Sequence, residues 1–201
     1  MVSDGLRLRR LLRAPPVVAV RSVLPESVVE FIRRKLFSMP KDEAARVVSG
    51  LFDDRVPFVL AGGWGVDALT GEFKRQHSDL DVIVAPGALG ALVSTLVVLG
   101  YVLTEESVEG GWWAPDTSVF RNGRGRRIEA LVLTAEQLAA LARRAEAMLG
   151  HSVDVTPVTG SVGGVEVSCL SPALQLAAHD GFELSHHQRR DFRLLDALAR
   201  V

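Results

Sequence analysis

GGWGVDALTGEFKRQHSDLDVIV, residues 62–84, sets a glycine pair ahead of a short helical segment and then two aspartates separated by one leucine. The last residues have the period of a strand, in which side chains two apart share a face. Asp79 and Asp81 therefore project together, and Leu80 points the other way into packing. Two carboxylates this close, beside an aliphatic run, repel each other and are costly to desolvate unless a cation meets them. Parallel hard oxygen ligands suit Mg²⁺, which keeps waters and draws its remaining ligands from phosphate. The same stretch offers a seat for phosphate. VPFVLA (56–61) reads as an apolar strand that Gly62-Gly63 breaks, and WGVDALTG (64–71) as a short helix ending at Gly71. A glycine turn entering a helix lets backbone N–H groups approach phosphate oxygens, and the helix N-terminus favours anions. Lys74, Arg75 and His77 add positive character before the aspartates. One reading of Trp64 is an ordinary packing residue. For Asp67, inside the helix, a structural hydrogen bond is expected.

Outward from this stretch the pattern stays regular. PKDEAARVVSGLFDD (40–54) reads as a helix with acids in its first turn, and GALGALVSTLVVLG (87–100) as a helix closed by Gly100. Strands are expected near 101–104 and 117–121, then a turn at NGRG and a strand at 126–133. In TAEQLAALARRAEAML (134–149), Thr134 and Gln137 have the spacing of a capping box. A hairpin within 153–169 and two helices, 172–184 and about 187–200, complete the chain. The expected architecture is mixed α/β, a small mixed sheet with flanking helices and a helical C-terminal element. On a helix over 172–184 and onward, His179, Glu183 and His186 share one face, which fits either a zinc ligand set or a partly buried polar face.

Composition narrows the function classes. A chain of 201 residues suits one domain with a sizeable core. The net charge of −1 gives no global field for nucleic acid. A single cysteine, Cys169, excludes an intrachain disulfide and a cysteine-based zinc site. No apolar run reaches the length of a membrane span. The N-terminus is basic and then briefly apolar, but Arg21 and Pro25 close the apolar part without a small-residue cleavage pattern, so a cytoplasmic protein is expected. Residues 1–38 are read as a basic arm with a helix over 25–37, either solvated or a contact for RNA. Residues 39–201 are read as the main domain.

The combination of motifs resembles a known family. GGWGVDALTG followed by RQHSDLDV is similar to the signature of the small nucleotidyltransferases related to DNA polymerase β, in the lincosamide and aminoglycoside 2''-nucleotidyltransferase branch. Gly62, Gly63, Trp64, Asp67, Gly71, Arg75, His77, Asp79 and Asp81 all match that signature. SVFRNGRGRRIEALVL (118–133) looks like the paired strands of the family, and CLSPALQLAAHDGFELSHHQRRDFRLL (169–195) like its C-terminal helical element. The resemblance spans about residues 50–196. It departs from the pattern at the third carboxylate, where Glu129 replaces an aspartate, and two residues later, where Leu131 replaces a histidine.

The resemblance implies a nucleotidyltransferase fold and NMP transfer from an NTP to an acceptor hydroxyl, with release of pyrophosphate. Asp79, Asp81 and Glu129 are implied as catalytic residues holding two Mg²⁺ ions, with Glu129 completing the second metal site or serving as base. Gly62, Gly63, Trp64, Arg75 and His77 are implied as nucleotide-binding residues. The acceptor expected first is a small hydroxylated molecule, aminoglycoside- or lincosamide-like. Glu105, Glu106, Glu109 and Asp116 would suit a cationic one, and Trp112-Trp113 either pack or wall its pocket. The alternatives are an acceptor tRNA or protein, gripped through residues 1–38 and the RNGRGRR turn (121–127), or a non-catalytic nucleotide-binding relative.

Overall fold

The computed structural model describes residues 38–107, 116–180 and 186–200. The proposed helix over 25–37, the Trp112-Trp113 pair, Glu109 and Glu183 lie outside them.

Met39, near the start of the described residues, is fully buried and donates its backbone N–H to the carbonyl of His77 at 2.7 Å. Helix α1 (Lys41–Asp53) follows, with Asp42 and Glu43 in its first turn and Ala44, Val47, Val48 and Leu51 buried along one stripe. Strand β1 is only Val59–Ala61, shorter than the apolar run 56–61. Pro57 has no N–H to give a ladder, and Val56 is spent on a turn bond to Leu51. Helix α2 (Gly62–Thr70) ends at Gly71 in a left-handed conformation, and β2 (Asp79–Val84) follows. A turn of 3₁₀ helix leads into α3 (Leu89–Val98). A meander of β3 (Tyr101–Ser107), β4 (Asp116–Asn122) and β5 (Arg127–Val132) comes next. Helix α4 (Ala135–Leu149) has the expected Thr134–Gln137 capping box. The hairpin β6 (Val158–Val162) and β7 (Val165–Cys169) leads to α5 (Pro172–His179) and α6 (His186–Ala199).

The strands form one seven-stranded mixed sheet in the order β3-β4-β5-β2-β1-β7-β6. Pairs β2·β5 and β1·β7 are parallel and the remainder antiparallel. The mixed α/β expectation holds. Alternation divides β2 and β5 between two cores. Leu80, Val82 and Val84, with Ile128 and Ala130, pack under α1 and α3. On the opposite face Ile83 and Leu131 pack with Leu141, Ala142 and Ala145 of α4 and Leu174 and Ala177 of α5. That second cover reaches only the C-terminal ends of β2 and β5, so their N-terminal ends are left half-buried on this face.

One expectation needs correction. Helix α5 stops at His179 rather than running to 184, because Asp180 is extended (φ −70°, ψ 134°) and its carboxylate pairs with Arg144. His179 thus closes its helix, and its Nδ1 faces the Gln175 carbonyl at 2.7 Å, one turn back; the shared face read for His179, Glu183 and His186 runs through Glu183, which lies outside the described residues.

Candidate active site

Register builds the site. Strand β2 runs between β5 and β1, with Asp81 directly opposite Glu129 on one side and Ala61 on the other; Asp79 faces Arg127. All four side chains, Asp79, Asp81, Arg127 and Glu129, share the face of Ile83 and Leu131 and lie on the part of it that α4 and α5 leave uncovered. Like charges directly opposite in a sheet are destabilising, so the Asp81–Glu129 pairing breaks a rule of sheet design where the rest of the strand obeys it. Such local violations concentrate at functional sites.

The electrostatics follow from this crowding. Burial, then the charges of Asp79 and Glu129, push the Asp81 carboxyl well above the usual carboxylate range. Burial also raises Glu129, against the opposing pull of Arg127. Asp81 and Glu129 face each other directly across the strand pair. Arg127 is the cation within the group. Its Nη1 donates to Asp79 Oδ2 at 2.9 Å, and its Nη2 meets Glu129 Oε1. Among the described residues no three His, Cys, Asp or Glu side chains are gathered closely enough to hold a metal ion as they stand. The all-oxygen donor set is nevertheless the kind that Mg²⁺ prefers, and a side-chain cation already bridges two of its members.

The glycine pair is explained by what lies against it. Gly62 has φ +59°, and a Cβ there would fall 1.9 Å from Asp81 Oδ2. At Gly63 a Cβ would meet His77 Nδ1 at 2.2 Å and an Arg75 guanidinium nitrogen at 2.9 Å. The N-terminus of α2 is thereby drawn against the carboxylates of the sheet.

The remaining expected site residues support this turn from behind. His77 is 2% exposed, and its Nε2 lies 2.6 Å from Asp67 Oδ2, which is itself 5% exposed. Trp64 is buried at 2%, stacks on Phe73 and lies tilted against His77. Arg75 donates from Nη2 and Nε to Asp191 Oδ2, at 2.6 and 3.2 Å, pinning the loop to α6. The structure thus brings Asp79, Asp81, Glu129 and Gly62 together, with Gly63 beside them. It commits the side chains of Trp64, Arg75 and His77 to packing and to acidic partners. Leu131 belongs to the core under α4 and α5.

Two residues of the constellation were not singled out from the sequence. Arg127 sits two before Glu129 on the same strand, so period-two counting places it on the same face. Asp191 is 116 positions from Arg75, and no local signal marks it.

Comparison with known proteins identifies the family. The family model for aminoglycoside-2''-adenylyltransferase matches residues 44–195, from the first helix to the last. The chain belongs to the aminoglycoside-2''-adenylyltransferase family. The expected nucleotidyltransferase class, and the branch to which the sequence was compared, therefore hold. A lincosamide resistance protein of Staphylococcus haemolyticus is 22% identical over 146 residues, 72% of this chain and 86% of that relative. A 2''-aminoglycoside nucleotidyltransferase of Klebsiella pneumoniae is 26% identical over 85 residues, 35% of this chain and 48% of that protein; this alignment spans about half the relative's length. In fold, the chain is similar to lincomycin-bound lincosamide antibiotic adenylyltransferase LnuA, with a TM-score of 0.58 at 20% identity, covering 80% of this chain and 99% of that one. ANT(2'')-Ia in complex with adenylyl-2''-tobramycin gives 0.56 at 17% identity, covering 78% and 87%. None of the helices in the described residues is long and apolar enough to cross a membrane.

Proposed function

We propose that the protein transfers the nucleoside monophosphate of an NTP, ATP as in its adenylyltransferase relatives, to a hydroxyl of a small antibiotic-like acceptor, with Mg²⁺ as cofactor. The observation that carries this reading is the register that places Asp79, Asp81 and Glu129 on one open face against the glycine turn.

In this reading Asp79, Asp81 and Glu129 hold the divalent cations, which when bound neutralise charge on the attacking and leaving oxygens of the transferred phosphoryl group. Gly62 and Gly63 keep the N-terminus of α2 free of side chains, so that its N–H groups meet phosphate oxygens. Trp64, His77 and Arg75 contribute through the position of that turn, since their side chains are held by Phe73, Asp67 and Asp191. Glu129 takes the proton of the acceptor hydroxyl as that oxygen bonds to the α-phosphorus and the bond to pyrophosphate breaks. Its longer side chain, in place of aspartate, shifts its oxygens by about one bond length, still on the face of Asp81.

The lincosamide and aminoglycoside relatives favour a small acceptor over RNA or protein. The RNA reading rested on residues 1–38, of which 1–37 are outside the described structure, and on the 121–127 turn. The deciding experiment supplies four α-labelled NTPs with Mg²⁺ to an aminoglycoside and lincosamide panel and, in parallel, to total tRNA. Label on a drug, absent in Asp81→Asn, supports the proposal. Label on tRNA alone refutes it.

A further inference from the structure

Arg127 holds a place that the reaction needs for something else. Its guanidinium touches Asp79 across the strand pair and Glu129 along its own strand, and those are two of the three carboxylates assigned above to the divalent cation. We propose that Arg127 is the resident counter-ion of the carboxylate cluster in the nucleotide-free protein, and that it must release Asp79 and Glu129 before their oxygens are free for metal. The inference rests on the metal-site reading under Proposed function.

The contact differs from the Arg75 ion pair. Arg75 sets Nε and Nη2 both on one carboxylate of α6. Arg127 does not. It gives one nitrogen to each of two acids from different strands, and its Nε is buried without a hydrogen-bond partner. Its side chain is 28% exposed, so the head has a path to solvent while the aliphatic stem stays on the sheet. Once released, the guanidinium stays beside the site with its fork free for phosphate oxygens, an anion it matches well.

A competitor inside the site lowers apparent metal affinity by the fraction of molecules in which it has withdrawn. The full chain is titrated with MgCl₂ and, separately, MnCl₂, without nucleotide. Affinity is read by calorimetry and by the rise of the melting temperature. Arg127→Met is expected to bind metal about tenfold more tightly or better than wild type. Without metal it should melt lower, and the deficit should close as metal is added. Arg127→Lys, which keeps a charge, should fall between. A folded Arg127→Met, or Arg127→Gln should Met not fold, that binds metal no more tightly than wild type overturns the inference. The Asp81→Asn variant separates the two readings. If it binds metal as wild type does, or if wild type and Arg127→Met bind none, the metal site itself is wrong and this inference falls with it. If Asp81→Asn loses binding while Arg127→Met is unchanged, only the role of Arg127 fails.

Discussion

Any side chain at position 62 would begin 1.9 Å from Oδ2 of Asp81. The glycine opens α2 and the aspartate lies on β2, and each occupies space the other leaves. Gly62→Ala should therefore act twice, forcing an alanine into a left-handed backbone and driving Asp81 out of its place. A stability loss of at least ~1–3 kcal/mol is expected from the backbone alone, with transfer activity falling further than folded yield. Denaturant midpoints and initial rates on the same preparation check both; a variant with wild-type rates would separate the turn from catalysis.

Asp81→Asn should lose transfer by ~10³-fold or more, since several kcal/mol of transition-state stabilisation go with one metal carboxylate. Its stability should not fall. The substitution removes one of three crowded acids, and an amide can still hydrogen-bond Glu129. Thermal melts without metal are expected to match wild type or rise, and a large drop would show that Asp81 is a structural residue.

The buried His77–Asp67 contact carries the loop between α2 and β2. Asp67→Ala leaves the imidazole without its acceptor, and the Lys74 backbone N–H, 3.3 Å from the same oxygen, without its own. About 3 kcal/mol should be lost. Because Met39 hangs on the His77 carbonyl, hydrogen exchange at the Met39 amide should quicken along with it.

Glu43 makes a pH prediction away from the site. Its Oε1 accepts from the Tyr101 hydroxyl at 2.7 Å, from Asn122 at 3.1 Å and from Arg46 at 2.7 Å. The Arg46 hydrogen bond leads in holding its carboxyl below the ordinary 4.5. A depressed folded-state pKa stabilises above the unfolded value, and that stability disappears as pH falls through the folded one. Glu43→Gln should cost about 1–2 kcal/mol at pH 7, and the gap should narrow below pH 4.5. Urea midpoints from pH 7 to pH 3 test this, and a gap that widens in acid would be the wrong sign.

The sequence was most legible where period and spacing act locally. Leu80 between two aspartates announced the strand and its faces, Thr134 and Gln137 announced a helix start, and Gly71 a helix end. Glu129 was reached only through family resemblance, because its partnership with Asp81 is a register between strands 48 residues apart. Arg75 and His77 read as phosphate-binding cations by charge alone. The acids that meet them, Asp191 from the last helix and Asp67 from inside α2, are tertiary facts that no neighbouring residue reports. The overlong helix at 172–184 failed because an apolar stripe shows where a helix is welcome, while the Arg144–Asp180 pair sets where it ends.

Register has one more consequence. Moving β5 by a single residue against β2 would turn Ile128 and Ala130 to the open face and press Glu129 and Arg127 into the core under α1 and α3. The arrangement that buries the apolar residues is the same one that aligns the acids, so a one-residue slip cannot scramble the site without also unburying the core. Turnover per milligram of soluble material would then serve as a direct assay of folded fraction. Variants that lose activity while keeping their melting temperature would have lost chemistry, not assembly.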